Sequence, residues 1–233
     1  MANLRVSSGI KKLDSTIEGG YKKGSINLVE GGAGTGKSIF AMQFLVKGIE
    51  DGENGVYMTF EEEEDNLREN MEKFGWNLPE LEKQDKLDII SMNPEEIIKT
   101  VEKKSLSLKF TIIKQVKARR MVIDSLSAYS LMFEEGKERR EALRHLFKTL
   151  REFGCTSLLI AERDINVNDN SSNTDLAEFE VDSVVVLYNI RKGDVRERAL
   201  EVKKIRGTKN LLKLFPMQVT EKGIDIYPDQ TLF

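Results

Sequence analysis

The chain has 233 residues, of which 39% are hydrophobic and 32% are charged, and its formal net charge is −3. This length supports one sizeable hydrophobic core, and the composition is typical of a globular protein with a well-charged surface. The small negative charge excludes a general attraction to nucleic acid or to anionic membranes. The single cysteine, Cys155, excludes an intrachain disulfide. With no signal-like N-terminus and no apolar run of membrane-spanning length, these features predict a cytoplasmic protein.

Apolar segments typical of buried strands alternate with segments of helical periodicity over the first two thirds of the chain. Strands are predicted at residues 25–30, 55–60, 87–91, 120–124 and 155–161. Helices are predicted from Lys37, over residues 64–74, from Asn93 and over residues 137–153. This alternation predicts an α/β protein with a mostly parallel central sheet that is flanked by helices on both sides.

The C-terminal part of the chain has a different pattern, with four strands separated by short turns. These strands are predicted at residues 181–190, 197–205, 215–220 and 224–227. Such an arrangement predicts antiparallel strands added to one edge of the sheet. Residues 166–175 are polar and typical of a loop. Because there is no repeat and no low-complexity linker, we expect residues 1–233 to form a single domain.

A glycine-rich segment directly follows the first predicted buried strand. Gly31-x-x-x-x-Gly36-Lys37-Ser38 matches the phosphate-loop pattern, in which backbone N–H groups and a helix N-terminus bind a polyphosphate. Lys37 is expected to reach the β- and γ-phosphates, and the Ser38 hydroxyl is expected to bind Mg²⁺. The predicted nucleotide-binding residues of this segment are Gly32, Ala33, Gly34, Thr35, Gly36, Lys37, Ser38 and Ile39. The alternative is a glycine-rich turn that carries a surface lysine.

Two further acidic features follow predicted strands. Asp124 ends the apolar strand at residues 120–124, which is the position of an aspartate that binds Mg²⁺ in phosphate-loop enzymes. Five consecutive acids, residues 61–65, follow the strand at residues 55–60. Ligands bind beyond the carboxyl ends of parallel strands, so Glu61 and Glu62 are expected to face the nucleotide and to orient or deprotonate the attacking water. The alternatives are a turn cap for Asp124 and a solvated helix start for the acidic run.

The order of these motifs resembles the RecA superfamily, and specifically KaiC-type ATPase domains. The similar segments are SSGIKKLDSTIEGGYKKGSINLVEGGAGTGKS, VYMTFEEEEDNLRENMEKFGW, MVIDSLS, LEVKKIRGT and TEKGIDIYP, which extend over nearly the whole chain. The resemblance implies a RecA-like phosphate-loop NTPase fold and binding of ATP with Mg²⁺. Autokinase activity is not predicted, because the surroundings of the serines and threonine in NSSNT do not match the family's phosphorylation site.

The resemblance also implies roles for particular residues. Glu61 and Glu62 match a pair of catalytic carboxylates. Lys204, Arg206 and Thr208 match a basic segment that reaches the nucleotide bound by a neighbouring subunit. Family members commonly form hexameric rings with ATP between subunits, so we expect a homo-oligomer and also a protein partner. A basic turn of this kind can supply positive charge to a phosphoryl group during its transfer.

Two other functions remain open from the sequence. The first is a DNA-binding recombination mediator, since RecA relatives bind strands through loops that follow two of the central strands. Residues 162–182, which correspond to one such loop, contain seven acids and one base, and this charge disfavours phosphate binding. The second is a nucleotide switch that does not hydrolyse ATP, which the presence of both Glu61 and Glu62 disfavours.

Overall fold

The computed structural model describes residues 4–93, 116–163, 176–209 and 211–232. The described strands are β1 (Arg5–Val6), β2 (Tyr21–Lys22), β3 (Ile26–Gly31), β4 (Gly55–Thr59), β5 (Leu87–Ser91), β6 (Arg120–Asp124), β7 (Thr156–Glu162), β8 (Ser183–Lys192), β9 (Val195–Ile205), β10 (Leu214–Thr220) and β11 (Gly223–Ile226). The described helices are α1 (Lys11–Thr16), α2 (Lys37–Glu50), α3 (Glu64–Glu72), α4 (Leu78–Lys83), α5 (Leu126–Ser130), α6 (Lys137–Phe153) and α7 (Leu176–Glu180).

Nine strands form one sheet in the order β11-β10-β9-β8-β3-β7-β6-β4-β5, and β1 pairs with β2 in a separate small sheet. The six strands from β8 to β5 in this order are parallel to one another. Strands β9, β10 and β11 continue the sheet in antiparallel pairing. The predicted α/β architecture, with antiparallel strands at the C-terminal edge, is therefore confirmed.

Helices cover both faces of the sheet, and each face has its own apolar core. Residues of α1, α2, α3 and α4 pack against one face, where Phe40 and Phe44 of α2 are fully buried. Residues of α5 and α6 pack against the other face, where α6 contributes Leu143, Leu146, Phe147 and Leu150. The interior strands are apolar on both sides because both sides are covered. None of the helices within the described ranges is long and apolar enough to cross a membrane.

Most predicted elements are present, with small differences at their ends. The strand predicted at residues 120–124 has the same bounds in the structure, and the helix predicted over residues 64–74 ends at Glu72. Short elements without strong periodicity were not predicted, including α1, α4, α5, α7 and the small sheet. The helix predicted from Asn93 would occupy residues outside the described part of the chain, as does the loop predicted at residues 166–175.

A buried arginine fixes the start of β6, the strand that ends in Asp124. Arg120 is 1% exposed and donates hydrogen bonds to Glu53 at 2.8 Å and to the carbonyl oxygens of Ser7 and Phe44 at 2.7 and 2.8 Å. Its guanidinium also lies 4.7 Å from the centre of the Phe44 ring. A buried cation requires this degree of pairing. These contacts join β6 to α2, the helix that follows the phosphate loop.

Candidate active site

The phosphate loop lies between β3 and α2, and its glycines have backbone requirements of their own. Gly34 and Gly36 have φ angles of 71° and 106°, in the left-handed region that favours glycine. At Gly31 a Cβ atom would lie 2.7 Å from the Leu187 carbonyl oxygen of the adjacent strand β8. The loop therefore curls closely over the end of the sheet and leads directly into the N-terminus of α2, which favours an anion.

Lys37 is the first residue of α2, and its side chain folds back over the loop. Its ammonium donates a hydrogen bond to the Gly32 carbonyl at 2.9 Å and lies 3.6 Å from the Glu162 carboxylate at the end of β7. The side chain is 8% exposed. Thr35 is also buried and donates a hydrogen bond to the same Gly32 carbonyl at 2.9 Å. The Gly32 carbonyl thus accepts two hydrogen bonds from side chains of the loop and stabilises its conformation.

Ser38, which follows Lys37 in α2, and Asp124, at the end of β6, are in direct contact. The Ser38 hydroxyl donates a hydrogen bond to Asp124 Oδ2 at 3.0 Å, and the Tyr57 hydroxyl donates to the same oxygen at 2.5 Å. Burial raises the pKa of Asp124, whereas these two hydroxyl groups act to lower it. Burial and the nearby Asp124 also raise the pKa of Tyr57 well above its ordinary value. A hydroxyl and a carboxylate in contact are hard oxygen donors that fit Mg²⁺ together with phosphate oxygens.

The acidic run after β4 divides into two groups with different surroundings. Glu61 accepts a hydrogen bond from the Ser125 hydroxyl at 3.3 Å, and Glu62 accepts one from the Asn70 side chain at 2.7 Å. Both residues line the same cavity as the phosphate loop. By contrast, Glu64 and Asp65 lie in the first turn of α3 and pair with Arg68. Glu61 and Glu62 therefore lie at the cavity, whereas Glu64 and Asp65 begin α3.

One cavity of about 380 Å³ collects these groups at the carboxyl edge of the sheet. Its lining residues are Ala33, Gly34, Gly36, Lys37, Ser38, Ile39, Thr59, Glu61, Glu62, Asp124 and Glu162. Sequence reasoning did not identify Tyr57, Thr59, Asn70 or Glu162 as part of this region. Glu162 carried a detectable signal, because it is an acid at the end of a predicted buried strand. Asn70 carried none, because it is one polar residue among many on a surface helix.

A family model described as "ATPase: KaiC" matches residues 6–231 of the chain. The chain belongs to the KaiC ATPase family. Its α/β sheet, with the phosphate loop after β3, is the RecA-like fold of that family. Membership in this family implies that the chain binds a nucleotide.

The relatives of this KaiC-family chain fall into two groups by length. It is 35% identical to the circadian clock protein KaiC3 of Synechocystis over 96% of its own length but 46% of that protein's, so it spans about half of such clock proteins. It is 32% identical to a UPF0273 protein of Thermotoga maritima, with 97% of each chain covered. Among solved structures, the KaiC-like protein PH0186 of Pyrococcus horikoshii has 35% identity and a TM-score of 0.83, with 97% of this chain and 99% of that chain covered.

The basic segment that KaiC-type proteins are expected to direct at a neighbouring subunit lies far from the chain's own phosphate loop. Gly31 pairs with Leu187 of β8, on the side of the sheet where the parallel strands end. Ile205 of β9 pairs instead with Ser183, the first residue of β8, at the other end of these strands. Lys204 and Arg206 flank Ile205, so the structure does not bring them into the cavity. Arg206 donates a hydrogen bond to the carbonyl of Phe179, at the end of α7.

Thr208, the third predicted residue of this basic segment, lies against the small N-terminal sheet. Its hydroxyl accepts a hydrogen bond from Arg5 at 2.7 Å, and the backbone N–H of Lys209 donates to Glu18 at 3.3 Å. Arg5 also pairs with Glu18 at 3.2 Å. The N-terminal segment thus supports the turn that follows β9.

Proposed function

We propose that this KaiC-family chain binds ATP together with Mg²⁺ and hydrolyses it at the cavity described above. One observation carries the proposal: the phosphate loop, the Ser38–Asp124 pair and two carboxylates, Glu61 and Glu62, line a single cavity. The nucleotide-binding, metal-binding and proton-accepting groups that hydrolysis needs are therefore within reach of one substrate.

The residues of the cavity have separate roles in this proposal. The loop amides and Lys37 bind the β- and γ-phosphates, and Lys37 exchanges its contact with Gly32 for a phosphate oxygen. Ser38 and Asp124 would hold Mg²⁺, which would supply positive charge to the phosphate oxygens. Glu61 or Glu62 accepts a proton from the water that attacks the γ-phosphorus, and the bond to the bridging oxygen breaks to release ADP and phosphate.

The position of Lys204 and Arg206 supports assembly into a ring. Their own phosphate loop lies at the opposite end of the parallel strands, so their role in this proposal is at the nucleotide of another subunit. Two cations supplied in this way would stabilise charge on the transferred phosphoryl group. We propose a hexameric ring in the cytoplasm, in which Lys204, Arg206 and Thr208 complete the adjacent site and the nucleotide state alters affinity for a protein partner.

Replacement of the two carboxylates tests the hydrolytic role. We expect Glu61→Gln/Glu62→Gln to lower kcat for phosphate release by about 100-fold or more while ATP still binds, because a general base contributes this much. Glu63→Gln is the matched control, since Glu63 is the next acid of the run and is exposed outside the cavity lining. Equal rates for the double variant and wild type would show that these carboxylates are not the catalysts.

Assays of phosphate release and of DNA binding separate the two alternative functions. A nucleotide switch without hydrolysis predicts ATP binding but no phosphate release from the wild type. A recombination mediator predicts tight, salt-sensitive binding of single-stranded DNA in a filter-binding titration at low salt. We expect phosphate release from the wild type and no such binding of DNA.

A further inference from the structure

Three cations from two separate parts of the chain converge on Glu178 of helix α7, a glutamate that is only 5% exposed. Its carboxylate accepts a hydrogen bond from Arg163 at 2.8 Å and pairs with Lys203 at 2.7 Å. Its backbone carbonyl accepts a hydrogen bond from Lys204 at 2.6 Å. A buried carboxylate is strongly destabilising without partners, so these contacts hold Glu178 and the three cations in one arrangement.

On one side, this cluster includes Lys204, the first residue of the basic segment at the end of β9. The Lys204 ammonium donates hydrogen bonds to the carbonyls of Glu178 and Val181, the latter at 2.8 Å. Arg206 donates to the carbonyl of Phe179, between these two residues. Carbonyl groups at the C-terminal end of a helix attract cations. The last turn of α7 therefore holds Lys204 and Arg206 side by side, although their charges repel each other.

On the other side, the cluster leads to the chain's own nucleotide site. The backbone N–H of Arg163 donates to the Gly31 carbonyl at 3.2 Å, at the start of the phosphate loop. The Arg163 guanidinium also lies 3.9 Å from the carboxylate of Glu30, the residue before Gly31. Glu162, which immediately precedes Arg163, is the residue that contacts Lys37. Arg163 is thus in direct contact with the start of the phosphate loop of its own chain.

We propose that Glu178 is a positioning residue that holds Lys204 and Arg206 in the geometry in which they act on a neighbouring subunit's nucleotide. Through Arg163 it also connects them to the phosphate loop of their own subunit, so that ATP sites of adjacent subunits are coupled. This inference rests on the proposed function, because it requires the basic segment to act on ATP bound by another subunit.

Glu178→Gln tests the proposal, since it keeps the shape of the side chain and its backbone carbonyl but removes the charge that pairs with Arg163 and Lys203. We expect kcat for phosphate release to fall by about tenfold with the KM for ATP within about twofold of wild type, as for an interaction that matters in the transition state. Glu180→Gln is the matched control on the same helix, because the Glu180 side chain pairs with Arg144 instead. We expect it to leave both constants unchanged.

Mixing subunits distinguishes positioning from a structural role. A Lys37→Ala subunit has a damaged phosphate loop but an intact Glu178, so it can serve the intact loop of a Glu178→Gln neighbour. We expect mixed assemblies to regain activity per intact site. Loss of activity without rescue would show that Glu178 supports only its own subunit and would overturn the proposal.

A second variant keeps the test decisive if Glu178→Gln does not fold. Arg163→Gln removes the same ion pair at a side chain that is 27% exposed, and the same fall in kcat with rescue by mixing is expected. Normal kcat in a folded variant of either residue, alongside a defective Arg206→Ala, overturns this inference and leaves the proposed function standing. Absence of hydrolysis by the wild type is instead a failure of the proposed function.

Discussion

At the scale of single residues, folding and the proposed binding of Mg²⁺ place opposite requirements on Asp124. Burial raises its pKa because the charged carboxylate loses its hydration, and the hydroxyls of Tyr57 and Ser38 offset this effect only in part. Binding of Mg²⁺ nevertheless requires the ionised form. The folded protein without nucleotide therefore holds at neutral pH a carboxylate that its surroundings disfavour.

We expect Asp124→Asn to raise the melting temperature of the nucleotide-free protein at pH 7. A carboxyl whose folded-state pKa is raised binds protons more tightly in the folded than in the unfolded chain. Its destabilising effect is thus absent below the unfolded pKa of about 4 and grows as pH rises towards the folded pKa. The gain in melting temperature should accordingly be larger at pH 7 than at about pH 4.5, as measured by thermal denaturation.

Asp88→Asn is the control for this prediction. Burial, followed by Glu82 and Glu64, also raises the pKa of Asp88, which lies on β5 and does not line the cavity. Both variants should gain stability, but only Asp124→Asn should lose the stabilisation by Mg·ATP. This stabilisation is about 2.7 kcal/mol at a ligand concentration 100-fold above Kd. An equal response of the two variants to Mg·ATP would contradict the metal-binding role of Asp124.

At the scale of secondary-structure elements, the phosphate loop depends on how closely β3 approaches β8. A Cβ atom at Gly31 would lie 2.7 Å from both the Leu187 carbonyl oxygen and the Thr35 hydroxyl. The Leu187 carbonyl belongs to a central strand of the sheet, so it cannot move away without disturbing the ladder. At Gly34, in contrast, a Cβ atom would meet nothing within 4 Å, although its φ of 71° favours glycine.

We therefore expect Gly31→Ala to weaken binding of a fluorescent ATP analogue by about tenfold or more, because overpacking of this kind costs about 1–3 kcal/mol and distorts the loop. Gly34→Ala should cost only about 1 kcal/mol of stability from its positive φ. Fluorescence titration and thermal denaturation of both variants check the comparison. A weaker effect at position 31 than at position 34 would count against the close approach of the two strands.

At the scale of the whole molecule, the direction of β9 decides where the basic segment lies. Because β9 is antiparallel to β8, its last residues lie beside the first residues of β8. The phosphate loop lies at the other end of the parallel strands. The length of the strands thus sets the distance between the basic segment and the phosphate loop of the same chain. The proposed contribution of these cations to hydrolysis therefore requires a second subunit.

We expect Arg206→Ala to bind ATP normally but to hydrolyse it at least about 1,000-fold more slowly, since an arginine supplied in trans contributes this much in phosphoryl transfer. Mixing Arg206→Ala with Lys37→Ala subunits should restore phosphate release, because each supplies what the other lacks. Size-exclusion chromatography with light scattering establishes whether the variants assemble. Normal assembly without any restoration would exclude action in trans.

Much of this protein was predictable from local patterns in the sequence. Periodicity and strand-ending acids predicted where β3 to β7 lie along the chain, the phosphate loop and the position of Asp124. These features were predictable because a buried strand or a tight turn depends mainly on neighbouring residues. The difference between Glu61 and Asp65 was also predictable, since a helix that begins at Glu64 draws the later acids to its N-terminus. The family resemblance extended these predictions to Lys204 and Arg206.

The remaining features were decided only by the tertiary structure. The hydrogen bond from Tyr57 to Asp124, the contact of Glu162 with Lys37, and the cluster of cations around Glu178 join residues from different strands and helices. No local pattern predicts such contacts, because they depend on which strands become neighbours and in which register. The sequence by itself thus determined the chemical groups and the elements that carry them. Strand order, direction and register determined which of those groups share one cavity and which lie away from it, since these are properties of the assembled sheet.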